Sequence, residues 1–538
     1  MSVDTDRPAV PDASSAASSP TPGEPRLAKT LGVRQGVVIA LANMSPTVSI
    51  GLGLGLIGME VGTSLPATFL IACLPILGIA VGYARLSARD PNAGTTYMWV
   101  RRALGPWFGF MVGWIGVASS ILFLAYGTQL AGQFTLGVAA ELGADIDPLN
   151  SMKLATAIGV AWAALITYTA VRGVEMAARV QAILFGFAAV VVIVVCVAAF
   201  GGWGDAAPVS DFSAGWFNPF GFDDTTMLAT GVLLAAYNFW GWETAFSISE
   251  ENVDRRVAGK AGLLSIVLAA GLFVFAAVAF QRALSREEFA EYGANALPYL
   301  TDKMFGGQGA LIAYIAMLLS TVACLQSSVI GGARLTMAMG RNGVLGKSWA
   351  RLHPVHRTPS VSTYRTVAIS LVLAVAGTAL GKLTDVIMAT VTAVGILVSF
   401  GYGITGVACV MIFRRELFDS VRNFVTLALL PGVAGLALLL LGGYMVHSNW
   451  TASDTLAFDA ENGRFLVVVP LTIIALGVPI AAWNRYVRKP AYFSLPKSVD
   501  PDTAAATAEP GSPAPHPEHS EHSEHPEHPE HSEPHPAP

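Results

Sequence analysis

Charged residues are scarce in this 538-residue chain, and their scarcity excludes most classes of soluble protein. Asp, Glu, Lys and Arg make up 13% of the residues, whereas hydrophobic residues make up 53% and the mean hydropathy is +0.55. Soluble domains carry about 25% charged residues because their surfaces face water. The composition therefore indicates an integral membrane protein in contact with a lipid bilayer. The net charge of -5 comes mainly from an acidic C-terminal tail, and no nucleic-acid partner is predicted.

Cysteines and common catalytic motifs are also scarce. The four cysteines all fall in apolar segments, so neither a disulfide framework nor a cysteine-based zinc site is predicted. Neither HExxH nor GxSxG occurs, and the chain is predicted not to be an enzyme and to need no cofactor. A GxGxxG match at residues 53–58 lies inside an apolar helix without a preceding strand, so it does not indicate a dinucleotide site.

Both ends of the chain have compositions typical of disordered segments. Residues 1–31 are rich in Ser, Pro and Ala and lack the apolar core of a signal peptide, so we expect a disordered cytoplasmic tail. Residues 489–538 predict a second disordered tail, rich in His, Glu and Pro from residue 516. This tail is either a plain spacer or a pH sensor with weak affinity for zinc, nickel or copper. The histidines considered for such binding are His519, His522, His525 and His528.

Long apolar runs recur along residues 32–488, each with the length that crosses the hydrocarbon core of a bilayer. They predict an all-α integral membrane protein with twelve transmembrane helices. The predicted spans are Gln35 to Glu60, Ser64 to Leu86, Pro106 to Phe134, Leu154 to Val171, Val180 to Phe200, Thr225 to Ser249, Ala261 to Gln281, Gly309 to Gly332, Ser362 to Leu380, Val386 to Phe413, Phe424 to Met445 and Phe465 to Trp483.

The distribution of Lys and Arg predicts the orientation in the membrane. With the N-terminus inside, most of the 32 basic residues lie on the cytoplasmic side, including Arg101 and Arg102 in a predicted short helix between the second and third spans. The positive-inside rule then predicts a cytoplasmic-membrane protein with both termini in the cytoplasm. The six basic residues on the predicted external side are Lys153, Arg282, Arg286, Lys303, Lys382 and Arg464.

The first span carries a proline and three hydroxyl groups near its centre, in the stretch Ser45-Pro46-Thr47-Val48-Ser49-Ile50-Gly51. Proline removes a backbone donor and clashes with the preceding turn, so the helix is predicted to break near Met44 and Ser45. Backbone freed at membrane depth is tolerated only beside protein or a water-filled cavity, and such breaks mark substrate sites in transporters. The alternative is a kinked helix that packs closely through its glycines.

The sixth span carries the second unusual stretch, Tyr237-Asn238-Phe239-Trp240-Gly241-Trp242-Glu243-Thr244. A charged side chain at membrane depth costs about 2.5 to 3.5 kcal/mol on insertion scales, so we expect Glu243 to take up a proton and to be functional. The alternative is a protonated Glu243 that only bonds freed backbone. Because the interrupted spans lie five helices apart, they predict inverted repeats at about 35–200 and 225–413, with a binding site between them and two extra helices at about 424–485.

Four stretches in this order resemble the amino acid, polyamine and organocation transporter superfamily, over about Gly32 to Trp483. The resemblance implies the five-plus-five inverted repeat of the leucine-transporter-like fold, and an amino acid permease that works by alternating access. The stretches are Asp90 to Tyr97 with Ala103 to Pro106, Arg172 to Val174 with Ala178 to Gln181, Gly241 to Ala245 with Glu250 to Asn252, and Met337 to Leu345 with His353 and Thr358-Pro359.

The resemblance also implies where a substrate binds. The carboxylate would lie at the broken first helix, and the ammonium would meet carbonyl groups of both broken helices. An aromatic gate or side-chain pocket is expected from Tyr237, Phe239 and Trp240, with unwound backbone at Gly241. The carboxylate positions are Ser45, Pro46, Thr47, Val48, Ser49 and Gly51, and the ammonium positions are Ala42, Asn43, Tyr237 and Asn238.

Two further questions stay open in the sequence. The coupling ion is predicted to be the proton (H+), carried by Glu243, with sodium (Na+) at Ser327 and Ser328 as the alternative. The substrate is predicted to be an amino acid, because a polyamine would favour several carboxylates and Glu243 is the only central one. A polyamine or organocation transporter, an exchanger and a transporter-like receptor are the other readings, and no oligomeric state is predicted.

Overall fold

The computed structural model describes residues 27, 29–148, 150–205, 207–380, 383–457 and 462–497. This part of the chain is helical apart from its connections and one isolated bridge between Leu31 and Asn252. The predicted all-α fold class is therefore confirmed. The histidines considered for metal binding, and most of both predicted tails, lie outside the described residues.

The first predicted repeat begins with a broken helix and continues with four long helices and one short one. The break lies after α1, and a π-helical turn (Ser49–Leu54) joins α2 to α3. The helices of this block are α1 (Val33–Met44), α2 (Pro46–Val48), α3 (Gly55–Val61), α4 (Leu65–Arg89), α5 (Thr96–Leu104), α6 (Pro106–Glu141), α7 (Met152–Arg172) and α8 (Val174–Gly201).

The second block also begins with a broken helix, formed by α9 and α10, and continues through α16. Two long helices, α18 and α19, and two short ones, α17 and α20, follow the block. Asp224 caps α9, because its side chain accepts a hydrogen bond from the amide of Met227 at 2.7 Å. The helices are α9 (Thr225–Asn238), α10 (Thr244–Ser247), α11 (Val257–Ala283), α12 (Arg286–Tyr292), α13 (Ala296–Phe305), α14 (Gly309–Arg341), α15 (Ser360–Gly377), α16 (Leu383–Ile412), α17 (Val421–Asn423), α18 (Leu430–Thr451), α19 (Gly463–Trp483) and α20 (Ala491–Ser494).

Ten helical segments among the described residues are long and apolar enough to cross a membrane. One of them, Val33–Arg89, combines the first and second predicted spans. The sixth predicted span is not among the ten, because it is divided between α9 and α10. The first difference arises because the short 3-10 turn Gly62–Ser64 joins α3 directly to α4, and the second arises at the break in the sixth span. The number of twelve crossings stays a prediction.

Helix α14 lies at the centre of the bundle, where it packs against α1, α6 and α8. In the most apolar 18-residue stretch of α14, 72% of the residues are buried, whereas in that of α8 only 28% are buried. Helix α8 therefore presents most of its apolar surface to lipid. Helices α16, α18 and α19 pack together on the side of α6. The two broken helices therefore lie next to the most buried helix of the protein.

The predicted cytoplasmic face is more ordered than the sequence suggests. The short helix predicted between the second and third spans is α5, but Arg101 on this helix is 0% exposed and not a simple surface charge. Residues 489–497, predicted as tail, instead contain α20, and Tyr492 on it is fully buried. Leu31 is buried as well, and its amide donates to the Glu251 carbonyl at 3.0 Å. The apolar side chains of these segments, Leu31, Tyr492 and Phe493, pack against the helices of the bundle.

Candidate functional site

The first break lies at Ser45, where the backbone enters the left-handed region. Ser45 has φ +46° and ends α1, and Pro46 begins α2 without an amide hydrogen. The Ser49 hydroxyl donates to the Met44 carbonyl at 3.1 Å. The amides of Val48 and Ser49 each donate to the Ser45 carbonyl at 3.0 Å. These bonds replace part of the hydrogen bonding that the break removes.

The second break lies between α9 and α10, at the height of the first. Gly241 has φ +118°, a conformation that favours glycine, and its amide donates to Glu243 Oε2 at 3.1 Å. A Cβ added to Gly241 would lie 2.8 Å from the backbone of Asn43. Both breaks are present as predicted, and their backbones are in contact.

Asn43 joins the two breaks to α14. Its amide nitrogen donates to the Gly241 carbonyl at 3.2 Å and to the Thr244 hydroxyl at 2.6 Å. Its amide oxygen accepts a hydrogen bond from the Ser328 hydroxyl at 2.6 Å, and its carbonyl accepts one from the Cys324 thiol at 2.9 Å. A single residue therefore links both breaks and α14.

A cavity of about 100 Å³ lies beside the breaks and extends along α3 toward the predicted external side. We call it the outer cavity. It has room for a small ligand or several waters. Its lining is mostly apolar, and no charged side chain lines it among the described residues. The apolar part of the lining comprises Met44, Val48, Leu52, Leu56, Phe123, Leu130, Leu234, Leu325 and Val391.

A second cavity, of about 110 Å³, extends from the breaks toward α5 and the predicted cytoplasmic side. We call it the inner cavity. Glu243 is the one carboxylate in its described lining, and Glu243 Oε2 accepts a hydrogen bond from the Tyr402 hydroxyl at 2.6 Å. Hydroxyl groups make up most of the remaining polar lining, from Tyr83, Thr95, Thr96, Ser119, Ser120, Thr244, Ser247 and Ser328.

Trp240 and Asn43 line both cavities and separate them. The Trp240 ring meets Phe123 edge to face, with ring centroids 5.1 Å apart, and lies 6.1 Å from the ring of Tyr237. The Tyr237 hydroxyl in turn lies 3.0 Å from the Tyr126 hydroxyl. These contacts join the second break to Phe123 and Tyr126 of α6.

Six residues of the predicted substrate site do not line either cavity in the described structure. Phe239, predicted as part of a gate or pocket, is 0% exposed and packs on Phe273 with ring centroids 5.1 Å apart. It faces the helix interface because the turn after α9 rotates it away from its neighbours. Those that do not line a cavity are Ala42, Pro46, Thr47, Gly51, Phe239 and Gly241, and those that do are Asn43, Ser45, Val48, Ser49, Tyr237, Asn238 and Trp240.

Both hydroxyls of the predicted sodium site donate hydrogen bonds to groups of α1. The Ser327 hydroxyl donates to the Ile39 carbonyl at 3.0 Å, and the Ser328 hydroxyl donates to Asn43. Both serines thus join α14 to α1.

Tyr126 and Tyr402 escape the sequence analysis, although each bonds a predicted site residue. Their only signal in the sequence is a phenol hydroxyl in the middle of an apolar span. The argument used for Glu243, that a polar group at membrane depth is functional, would identify both tyrosines as well.

Comparisons with known proteins agree with this architecture. Residues 31–476 match the family model described as amino acid permease. The chain is 27% identical over 368 residues to a low-affinity putrescine importer, PlaP, of Escherichia coli, covering 66% of this chain and 76% of that protein. It is 24% identical over 446 residues to a branched-chain amino acid permease, BcaP, of Bacillus subtilis, covering 80% and 90%. It is 26% identical over 443 residues to the human large neutral amino acids transporter small subunit 2, covering 81% and 76%.

Proposed function

Since the chain belongs to the amino acid permease family, a family of membrane transporters and not of enzymes, we propose that it imports an amino acid with an apolar side chain, together with a proton. The observation that carries this proposal is the pair of broken helices between an apolar outer cavity and an inner cavity that contains Glu243. Substrate would enter from the outer cavity and leave through the inner one, while Asn43 and Trp240 separate the two.

The outer cavity favours an amino acid over a polyamine. A polyamine carries two or more positive charges, and burying them without carboxylates is costly. The described lining of the outer cavity contains no charged side chain. A zwitterion needs none, because helix ends, hydroxyls and carbonyls can pair with its two groups. Branched or large aliphatic side chains match the leucine-rich wall. Similarity to a putrescine importer keeps a polyamine as the second candidate.

Glu243 is our candidate for the proton carrier. Its side chain faces the inner cavity and receives hydrogen bonds from Tyr402 and the Gly241 amide, so a change in its charge acts directly on the second break. A carboxylate at membrane depth is costly as an anion and becomes neutral when it takes up a proton. Direct bonds from Ser327 to α1 make the alternative sodium site less favourable.

The proposed location is the cytoplasmic membrane, with both termini in the cytoplasm. Its support is the excess of Lys and Arg on one side of the bundle. In this orientation the inner cavity, next to α5, lies on the cytoplasmic side, and the outer cavity lies on the external side.

The direct test is uptake into liposomes that contain the purified protein. A panel of labelled amino acids and diamines is offered with an inward proton gradient, and sodium and internal counter-substrate are varied separately. We expect gradient-dependent uptake of leucine, isoleucine or valine. Uptake of putrescine alone would overturn the substrate class, uptake only against counter-substrate would make the protein an exchanger, and binding without any flux would make it a receptor.

Replacing Glu243 tests the coupling. We expect Glu243→Gln, which keeps the shape but cannot ionise, to abolish uptake driven by a pH gradient while substrate exchange between the two sides continues. Tyr402→Phe is the matched control, because it removes the hydrogen bond and leaves the carboxylate; gradient-driven uptake should fall but persist. Unchanged gradient dependence in Glu243→Gln would exclude this residue as the carrier.

A further inference from the structure

Residues 490–497, which follow the last long helix, lie in a fitted groove on the predicted cytoplasmic face. Tyr492 and Phe493 are 0% and 3% exposed. The Tyr492 ring stacks on Tyr97 of α5, with centroids 4.7 Å apart and an angle of 6° between the planes. Gly109 of α6 leaves room for the Tyr492 hydroxyl, since a Cβ at Gly109 would lie 2.5 Å from that oxygen. The segment therefore has a specific binding site on its own protein.

Arg101 of α5 is buried beneath this segment. Its Nε donates to the Tyr492 carbonyl at 3.1 Å and its Nη2 to the Leu495 carbonyl at 3.3 Å. The guanidinium also lies 5.1 Å from the centre of the Tyr492 ring. A guanidinium stays charged at every physiological pH and needs hydrogen bonds when it is buried. If the segment leaves, water replaces the two carbonyls and hydrates the charge, so this contact can open and close.

The same segment connects two walls of the inner cavity. Thr95 and Thr96, at the start of α5, line that cavity on one side, and Leu335 of α14 lines it on another. Tyr492 and Phe493 pack in one apolar cluster with Met339, at the end of α14, and with Val344, in the loop after it. Just before the segment, Arg488 also donates to the Val344 carbonyl at 2.7 Å. Separating α5 from the end of α14 therefore requires the segment to break its contacts with one of them.

We propose that residues 490–497 form a detachable latch, which joins α5 to the end of α14 and slows the opening of the inner cavity to the cytoplasm. The latch belongs to the chain itself and leads directly into the long C-terminal tail. The proposal takes the inner cavity as the cytoplasmic path, but it does not depend on the identity of the substrate or of the coupling ion.

The test measures access to the inner cavity without any substrate. Thr96→Cys is introduced into a chain whose four natural cysteines are replaced, and a membrane-impermeant maleimide is added from the cytoplasmic side. We expect Tyr492→Ala to raise the labelling rate several-fold, because it removes the stacked ring. Tyr492→Phe, which keeps the ring, should label at the rate of the parent. Truncation after Lys489 should behave like Tyr492→Ala, and truncation after Lys497 like the parent.

Thermal unfolding of each variant separates release of the latch from general damage. Equal labelling rates in Tyr492→Ala and Tyr492→Phe, with only a lower melting temperature in the former, would overturn the proposal and leave a purely structural contact. If Tyr492→Ala does not fold, Phe493→Ala takes its place, since it removes the other buried ring of the segment and leaves the bonds of Arg101 to residues 492 and 495. Faster labelling in this variant supports the latch, and an unchanged rate contradicts it.

Discussion

At the scale of single residues, Gly241 determines whether the second break can form. Its φ of +118° is a conformation that other residues rarely adopt, at a cost of about 1–3 kcal/mol. A Cβ would also lie 2.8 Å from the backbone of Asn43, which cannot move without disturbing the first break. Both effects act on the same contact between the broken helices.

We therefore expect Gly241→Ala to lower the melting temperature and to abolish transport. The matched control is Gly186→Ala in α8, where an added Cβ meets nothing within 4 Å and the helix gains up to about 1 kcal/mol. Melting temperature and liposome uptake are measured for both proteins. Normal uptake by Gly241→Ala would show that the second break does not require the glycine conformation.

The sequence was informative about residues that disturb a helix and silent about their partners. Pro46 and Gly241 predict the breaks because their backbone chemistry is local. Tyr126 and Tyr402 meet their partners across the bundle, and no local pattern reports such a contact. Phe239 was assigned to the pocket by its neighbours in the sequence, but a turn of a few residues decides which aromatic faces the cavity.

At the scale of elements, α12 and α13 form a small unit on the predicted external side, and Glu288 holds it together. Glu288 Oε1 accepts hydrogen bonds from the Tyr299 hydroxyl at 2.7 Å and from Lys303 Nζ at 2.6 Å, and Oε2 accepts one from the Ser285 amide at 2.8 Å. The unit packs on α3, next to the outer cavity. Its stability therefore affects the external end of the first broken helix.

This unit should lose stability in acid. Partial burial acts to raise the pKa of Glu288, but hydrogen bonds from Lys303, Ser285 and Tyr299 outweigh it and hold the pKa below the ordinary value of 4.5. A carboxylate whose pKa is lower in the folded state than in the unfolded state stabilises the fold at every pH above the unfolded-state pKa. This contribution is lost as the pH falls through the folded-state pKa. We expect Glu288→Gln to unfold at a lower temperature than the parent at pH 7. The difference in melting temperature should vanish as the pH falls below the folded-state pKa of Glu288.

Thermal unfolding of both proteins over a series of pH values measures this difference. Asp302→Asn removes an exposed carboxylate from α13 and controls for the change in net charge. A difference between Glu288→Gln and the parent that stays constant down to the most acidic pH would contradict the assigned ionisation.

Elements were predictable where they are long and apolar. The short α5 followed from turn residues on both sides, but α20 did not, because its few apolar residues lie within a segment whose overall composition is that of a tail. Tyr492 and Phe493 become informative only when the groove that receives them is known.

At the scale of the whole molecule, the two cavities predict access from opposite sides of the membrane. Leu56 lines the outer cavity and Thr96 the inner one. In a chain without its natural cysteines, we expect Leu56→Cys to react with an impermeant reagent only from outside and Thr96→Cys only from the cytoplasm. A transported substrate with a proton gradient should change the two rates in opposite directions, since one cavity closes as the other opens. Reaction of both positions from the same side would contradict the proposed orientation.

The fold class was predictable because the hydrocarbon core of the membrane constrains every spanning segment in the same way. Each segment has to be long and apolar, and its backbone hydrogen bonds have to be formed within the protein. The number of crossings is harder to predict, since a break divides the sixth span and a short 3-10 turn joins the first span to the second. The separation into two cavities depends on the position of Trp240, which packing between distant helices determines.

The leucine-rich wall of the outer cavity takes no part in the polar bonds of Asn43 and Glu243. Leu52, Leu130 and Leu234 contact the space where cargo would lie, while the residues that couple the broken helices lie apart from them. Mutations in the wall can therefore accumulate over evolutionary time and change which cargo is accepted, while the mechanism itself is inherited intact. Substrate specificity can therefore change through substitutions at a few aliphatic positions.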